Sequence, residues 1–309
     1  MCYSAQLKAE FAIYQRYGGH LNIHAFVDLY GHRFDFPIYV SRALDYWFDE
    51  MAGDEAARIR EMIGRYKQQK NEEWTQELFK QRRRLADAER VLASDAPLKK
   101  LEKAGNERRI ASNKVERLMS WIDDAKRTER ESRDSRIYPN YFAPVLVEID
   151  GRRQILPMRY GCRLAGKPAS YDRKYPGTYN ARRDNLEGFW KGAFGKTHGI
   201  MIATAFYEHV ERDGQDTVLK FSPNNGQDML VACLWSQWTG EGEADLLSFA
   251  AITDEPPPEV ASAGHDRCII PLKPVHVDAW LKGGTPAAMY ALLDERDRPY
   301  YDHEIAKAA

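Results

Sequence analysis

The second residue of this sequence is a cysteine. Methionine followed by a small residue is normally processed, and loss of Met1 would leave Cys2 with a free α-amine and a thiol on one carbon skeleton. Ordinary values of about 7.7–8.0 for such an amine and about 8.5 for the thiol leave both partly nucleophilic near neutrality. By itself a second-position cysteine is more often a buried or incidental thiol. Carboxyl and imidazole side chains also occur in short motifs far along the chain. Glu208 closes Ala203-Thr204-Ala205-Phe206-Tyr207-Glu208-His209, and His265 lies in Gly264-His265-Asp266-Arg267. Carboxyl and imidazole groups are the usual agents of proton transfer. Asn180 and Arg182, in Gly177-Thr178-Tyr179-Asn180-Ala181-Arg182, add an amide that both donates and accepts and a guanidinium shaped for phosphate oxygens. Outside such a pattern each has a plainer reading, as a strand-end carboxylate paired to an arginine, a structural histidine, a turn asparagine and a surface ion pair.

The 309 residues are 43% hydrophobic and 29% charged, enough for a sizeable core, and the formal net charge of -1 excludes a general polycation. Phosphate contacts must therefore be local. Four cysteines, at 2, 162, 233 and 268, are too few and too far apart for a disulfide framework or a paired metal knuckle, and a reducing, cytoplasmic setting follows as the expectation. The start of the chain lacks the layout of a signal peptide, and no run of about 18 apolar residues suggests a membrane span. Phosphate-loop, Gly-x-Gly-x-x-Gly and His-Glu-x-x-His motifs are absent.

Three textures divide the chain. Up to about Trp47 the spacing of Leu7, Phe11 and Tyr14 predicts one short helix, followed by irregular or extended structure around Phe36–Val40. Residues 51–136 hold 22 Lys/Arg and 17 Asp/Glu, a net +5 that leaves -6 for the remainder. Apolar residues recur there at helical spacing (Ile59, Met62, Ile63, Tyr66; Leu78, Leu85, Leu92; Val115, Leu118, Ile122), and Ser94-Asp95-Ala96-Pro97 interrupts them. An antiparallel helical hairpin is expected. Its basic Arg82-Arg83-Arg84 face reads first as a solvated helix surface. Beyond Tyr138, short β-branched runs dominate: 145–149, 199–203, 229–232, 248–252 and 268–270. Asp150-Gly151 is a hairpin turn between apolar runs, and a helix is expected over Val277–Leu281. The fold class read from this is α+β, an antiparallel, partly closed β-barrel-like core with peripheral helices. The core would comprise 1–50 and 137–309, with 51–136 as an inserted charged α-helical hairpin.

Met1-Cys2, the Asn180-Ala181-Arg182 segment, Phe206-Tyr207-Glu208 and His265-Asp266-Arg267, in that order, resemble the pattern of the SOS-response-associated peptidase (SRAP) family. Asn140-Tyr141-Phe142-Ala143-Pro144 and Met158-Arg159-Tyr160-Gly161 are also similar to family segments. The resemblance implies binding of abasic sites in single-stranded DNA and covalent attachment to them. The Cys2 amine would condense with the open-chain aldehyde to an imine, and its thiol would add to the same carbon, closing a thiazolidine. Glu208 would move protons during ring opening and imine formation, His265 would serve the sugar oxygen or assist reversal, and Asn180 would hold the opened sugar or the amine. Arg182 and Arg267 would meet phosphates, and Thr253 would offer a hydroxyl to the DNA backbone. No cofactor, metal or membrane is called for.

The chain departs from the family in three places. Tyr3-Ser4 stands where many relatives have Gly-Arg, Cys268 replaces a proline, and a tryptophan-bearing segment expected near Leu164-Ala165-Gly166 is missing. A base-stacking wedge would then come from Tyr175, Tyr179 or Trp190. Two other readings remain open: an N-terminal-cysteine peptidase or autoprotease using the same groups, with lyase activity also implied, and a non-catalytic interaction protein whose helical insertion recruits a protein partner.

Overall fold

A computed structural model describes residues 3–8, 10–212, 214–240 and 243–306. In chain order its elements are β1 (Ser4–Leu7), α1 (Phe11–Arg16), β2 (His20–Leu21), α2 (Ile23–His32), β3 (Tyr39–Val40), α3 (Arg42–Asp45), α4 (Asp54–Leu92) and α5 (Leu98–Lys126). There follow β4 (Arg136–Ile137), β5 (Tyr141–Ile149), β6 (Arg152–Tyr160), α6 (Tyr171–Lys174), β7 (Asn180–Arg182), β8 (His198–Arg212), β9 (Gln215–Pro223), β10 (Met229–Gly240) and β11 (Glu243–Asp254). The chain ends through α7 (Pro258–Ser262), β12 (Cys268–Ile269), β13 (Pro271–Leu272), α8 (Val277–Lys282), α9 (Pro286–Asp294) and β14 (Tyr301–Ile305). It divides into two compact units, Met1–Ile59 with Ser132–Ala309, and Arg60–Glu131.

The first unit is α+β around a closed five-stranded barrel. β8 pairs with β10, β10 with β11, β11 with β6, β6 with β5, and β5 returns to β8 through Leu146 opposite Ile200. Closure, expected only in part, is completed by a parallel contact, Ser248 and Phe249 of β11 against Arg159 and Tyr160 of β6. β5 and β6 turn at Asp150 and Gly151, whose φ values of 50° and 70° are those a tight hairpin turn requires. The barrel interior is filled at alternate positions, the period of a strand: Val145 and Val147, Leu156, Met158 and Tyr160, Met201 and Ala203, Val231 and Cys233, Phe249 and Ala251. Outside, β1 and β4 extend the sheet from β8, β9 and β14 form a flap, and β7 and β12 border β11.

The outer face is covered too. The Trp280 indole of α8 donates to the Gly199 carbonyl at 3.0 Å, and Tyr14 of α1 packs with Trp47, which also meets Phe26. The single helix expected before Trp47 is in fact three. α2 was legible in principle: the Asn22 side chain accepts from the Ala25 N–H at 3.2 Å, and Phe26, Val27, Leu29 and Tyr30 form its buried stripe. The helix expected over Val277–Leu281 is α8.

In the second unit, α5 buries Ala104, Ala111 and Leu118 at seven-residue intervals, a coiled-coil seam built largely of small side chains. Contacts of Trp74 with Trp121 (5.6 Å between rings) and Arg84 with Glu107 (2.5 Å) run antiparallel between α4 and α5. Phe79, Met119 and Trp121 remain exposed.

Candidate active site

The central group is Glu208, fully buried near the end of β8. A strand's side chains alternate between faces, and the register between β1 and β8 slips once: Leu7 faces Ala203 while Gln6 faces Ala205. The slip skips Thr204 and changes which residues face the core, from Met201 and Ala203 before it to Phe206 and Val210 after it. Glu208 shares the parity of Phe206 and Val210. The bulge therefore aims a carboxyl group toward hydrocarbon instead of water.

Burial penalises the carboxylate and pushes its pKa up to about 8, against a smaller downward pull from the Tyr3 backbone N–H. Glu208 is thus mostly a neutral acid at pH 7. His265 Nε2 lies 3.2 Å from Glu208 Oε2. The imidazole is itself mostly buried, which lowers its pKa, so it too is neutral near pH 7. Its Nδ1 sits 2.9 Å from the Arg267 carbonyl oxygen and 3.2 Å from the Arg267 N–H. The closer contact calls for a proton on Nδ1, leaving Nε2 to accept from the Glu208 acid. His265 is brought there by the turn after α7, which passes through Gly264 at φ 102°, a backbone conformation that side-chain-bearing residues rarely adopt.

From His265 the contacts run outward. Arg267 Nη2 lies 3.9 Å from Asp184 Oδ2, and Arg182 Nη2 donates to the same oxygen at 2.8 Å. Asp184 was not anticipated, though its place two residues after Asn180-Ala181-Arg182 was the available signal. Arg182 has a half-exposed side chain, whereas that of Arg267 is mostly covered. β7 lies parallel to β11, Asn180 opposite Ala251 and Arg182 opposite Thr253. Asn180 is buried at the base of a cavity of about 200 Å³ that Arg182, Tyr175, Phe189 and Trp190 also line.

The expectation for Thr253 needs correction. It is 1% exposed, wedged between β7 and β12, so its hydroxyl lies behind the surface and not on it. Cys2 lies outside the described residues. Its neighbour Tyr3 donates its N–H to the Tyr207 carbonyl at 3.1 Å, and its ring meets those of His209 (4.4 Å) and Tyr138 (5.8 Å) edge-on. A basic side chain reaches β1 from elsewhere in the chain. Arg136 donates to Ser4 Oγ at 3.1 Å and lies 3.7 Å over the Tyr207 ring.

The structure thus sets a buried carboxyl and an imidazole together beside β1 of a barrel protein. Its sequence matches the profile of the SOS response associated peptidase family over residues 62–307, and the chain belongs to that family. Membership gives it a DNA-damage-associated function and a peptidase-type enzymatic role. No curated protein matches. Among solved structures, a protein from Bordetella bronchiseptica is 19% identical, the alignment covering 56% of this chain and 88% of that one, with a TM-score of 0.48. A protein from Bacteroides thetaiotaomicron is 14% identical over 56% and 78%, TM-score 0.48. A phage-related protein from Bordetella bronchiseptica is 17% identical over 56% and 82%, TM-score 0.45. Among the described residues no helix is long and apolar enough to cross a membrane.

Proposed function

We propose that this protein captures abasic sites in single-stranded DNA as a thiazolidine on Cys2. The observation that carries the reading is the Glu208–His265 pair at 3.2 Å, one residue along β8 from the carbonyl that holds Tyr3.

The chemistry balances without a further reagent. The Cys2 amine adds to the aldehyde carbon of the opened sugar, giving a carbinolamine. Glu208, held as the acid by burial, gives its proton to the departing hydroxyl; water leaves, and the nitrogen's proton passes to His265 Nε2 as the imine forms. The thiol then adds across the carbon–nitrogen double bond: sulfur bonds to carbon, and its proton ends on nitrogen. His265 then passes the proton it took from nitrogen to Glu208, restoring the acid. Arg182 and Arg267 meet the flanking phosphates by exchanging part of their interaction with Asp184 for DNA. That pair of guanidinium groups favours DNA over a peptide as the substrate. Exposed Phe79, Met119 and Trp121 on the helical insertion, read as residues 51–136, favour a protein partner there.

An oligonucleotide with one abasic site, incubated with the protein and run on a denaturing gel, tests the reading. Wild type gives a band resistant to denaturation, Cys2→Ala none, and Glu208→Gln forms it about 10²-fold more slowly. Undiminished product from Cys2→Ala, or Met1 retained on the mature chain by mass spectrometry, overturns the proposal.

A further inference from the structure

Proton chemistry leaves two features of the molecule unused, an apolar cavity in the barrel unit and a ring among cations in the helical unit. The cavity, of about 510 Å³, has walls of Leu29 from α2, Phe36, Phe142 from β5 and Leu247 from β11. It shares no residue with the cavity at Asn180. Asp28 and Asp245 also line it, both exposed, and neither has a cation partner among the described residues. Arg159 and Arg163 lie there too, but both are engaged by Asp172, at 2.8 Å and 2.6 Å. The opening therefore presents hydrocarbon with unneutralised carboxylates beside it.

The helical unit carries the converse. Phe79 of α4 is 65% exposed, and Arg82 and Arg83 follow it by three and four positions, which sets them beside it on the helix surface. Arg84 meets Glu107, whereas Arg82 and Arg83 have no carboxylate partner among the described residues. Arg82 instead lies against the Met119 sulfur at 3.5 Å. Trp121, the other exposed ring of this unit, is neighboured by Asp123 and Asp124, so its surroundings have the wrong sign for a cavity edged by carboxylates.

A ring between unpaired cations and an apolar cavity between unpaired carboxylates complement each other in polarity and in charge. The same asymmetry holds on the larger scale, with a net +5 over residues 51–136 against -6 over the remainder. Identical copies meeting through the same charged region repel, but the helical region of one attracts the barrel region of another. A space of about 510 Å³ admits the Phe79 ring together with the aliphatic stems of the arginines that flank it. Arg159 and Arg163 on the cavity wall can then lie against the ring face as cations. We propose that Phe79 of one copy docks in this cavity of a second copy, with Arg82 and Arg83 meeting Asp28 and Asp245. This rests on the partner reading of the helical insertion and names the partner as the protein itself. The contact joins two different surfaces, so each copy brings one ring and one cavity.

Sedimentation velocity on the full chain tests it. Wild type at about 100 µM should sediment in part as an assembly larger than the monomer. Phe79→Ala spoils the ring and Leu247→Asp spoils the cavity, and each should weaken association at least about tenfold. Asp28→Arg, at an exposed position where refolding is not at stake, should act in the same direction as Leu247→Asp. Each variant keeps the half that the other lacks, so an equimolar mixture of Phe79→Ala with Asp28→Arg or Leu247→Asp should recover association and stop at a dimer of unlike copies. A mixture that stays monomeric while wild type associates overturns the pairing of ring with cavity. Wild type that is monomeric throughout overturns the second copy as partner and leaves a different protein partner for the insertion standing. Association that Phe79→Ala and Arg82→Glu/Arg83→Glu both retain in full lies away from the helical face and overturns both readings.

Discussion

Glu208 and Glu107 are the same residue in opposite circumstances. In the barrel unit Glu208 is sealed among core side chains, and desolvation lifts its pKa to about 8. In the helical unit Glu107 meets Arg84 at 2.5 Å at the surface, and that hydrogen bond lowers its pKa. One carboxyl is kept as an acid that can donate, the other as an anion that only accepts. Composition conceals this contrast, since the charge-rich region 51–136 draws the eye while the working carboxyl sits in the β-rich remainder.

The largest expected effect separating the two is on the pH dependence of stability. A carboxyl raised from about 4.5 to about 8 binds more protons folded than unfolded between those values, so its contribution to stability is lost as pH rises through that window. His198 acts in the opposite sense. Burial lowers it to about 4, so stability is lost as pH falls below 6.5. The two slopes oppose each other between pH 4.5 and 6.5, and only that of Glu208 remains from 6.5 to 8. Glu208→Gln should therefore abolish the decline above pH 6.5 in urea-unfolding midpoints. At about 1.4 kcal/mol per pH unit, its gain over wild type should reach on the order of 5 kcal/mol by pH 9, relative to the same comparison at pH 4. An unchanged profile would mean that Glu208 is hydrated and the contrast with Glu107 is false.

How far sequence carried the argument can be followed residue by residue. Local signals were legible: the Asp150-Gly151 turn, the break before Pro97 and the Val277 helix are each set by neighbours a few positions away. Barrel closure was not, because the Ser248–Arg159 pairing joins residues with no shared local pattern. The Asn180, Glu208 and His265 segments were found through a motif series, but the inward aim of Glu208 depends on a register slip against β1 about two hundred positions earlier. Thr253 was misjudged for a related reason: its burial comes from β7 and β12, two short strands whose pairing with β11 is a tertiary event. The helical unit was legible as a hairpin and at Leu118, but Ala104 and Ala111, too small to stand out as apolar, carry the rest of the buried line on α5.

A smaller effect should follow from disturbing the seam of the helical unit. Leu118 is buried in a line otherwise made of Ala104 and Ala111, so it is the one bulky side chain on that stripe. Leu118→Ala should cost about 2–3 kcal/mol of that unit's stability, seen as earlier hydrogen exchange in α5, while leaving the crosslinking rate intact. Equal loss of crosslinking would show that the proton chemistry depends on the helices, and the comparison would then lose its independence.

The smallest effect belongs to the pair that looks strongest on paper. Arg84 and Glu107 meet at 2.5 Å, but both are open to water, where solvent screens the attraction and ordering two long side chains opposes it. Arg84→Ala should leave the thermal midpoint unchanged within error in 0.15 M salt. A measurable loss would place the pair in a drier setting than its exposure indicates. The two glutamates would then differ in degree and not in kind.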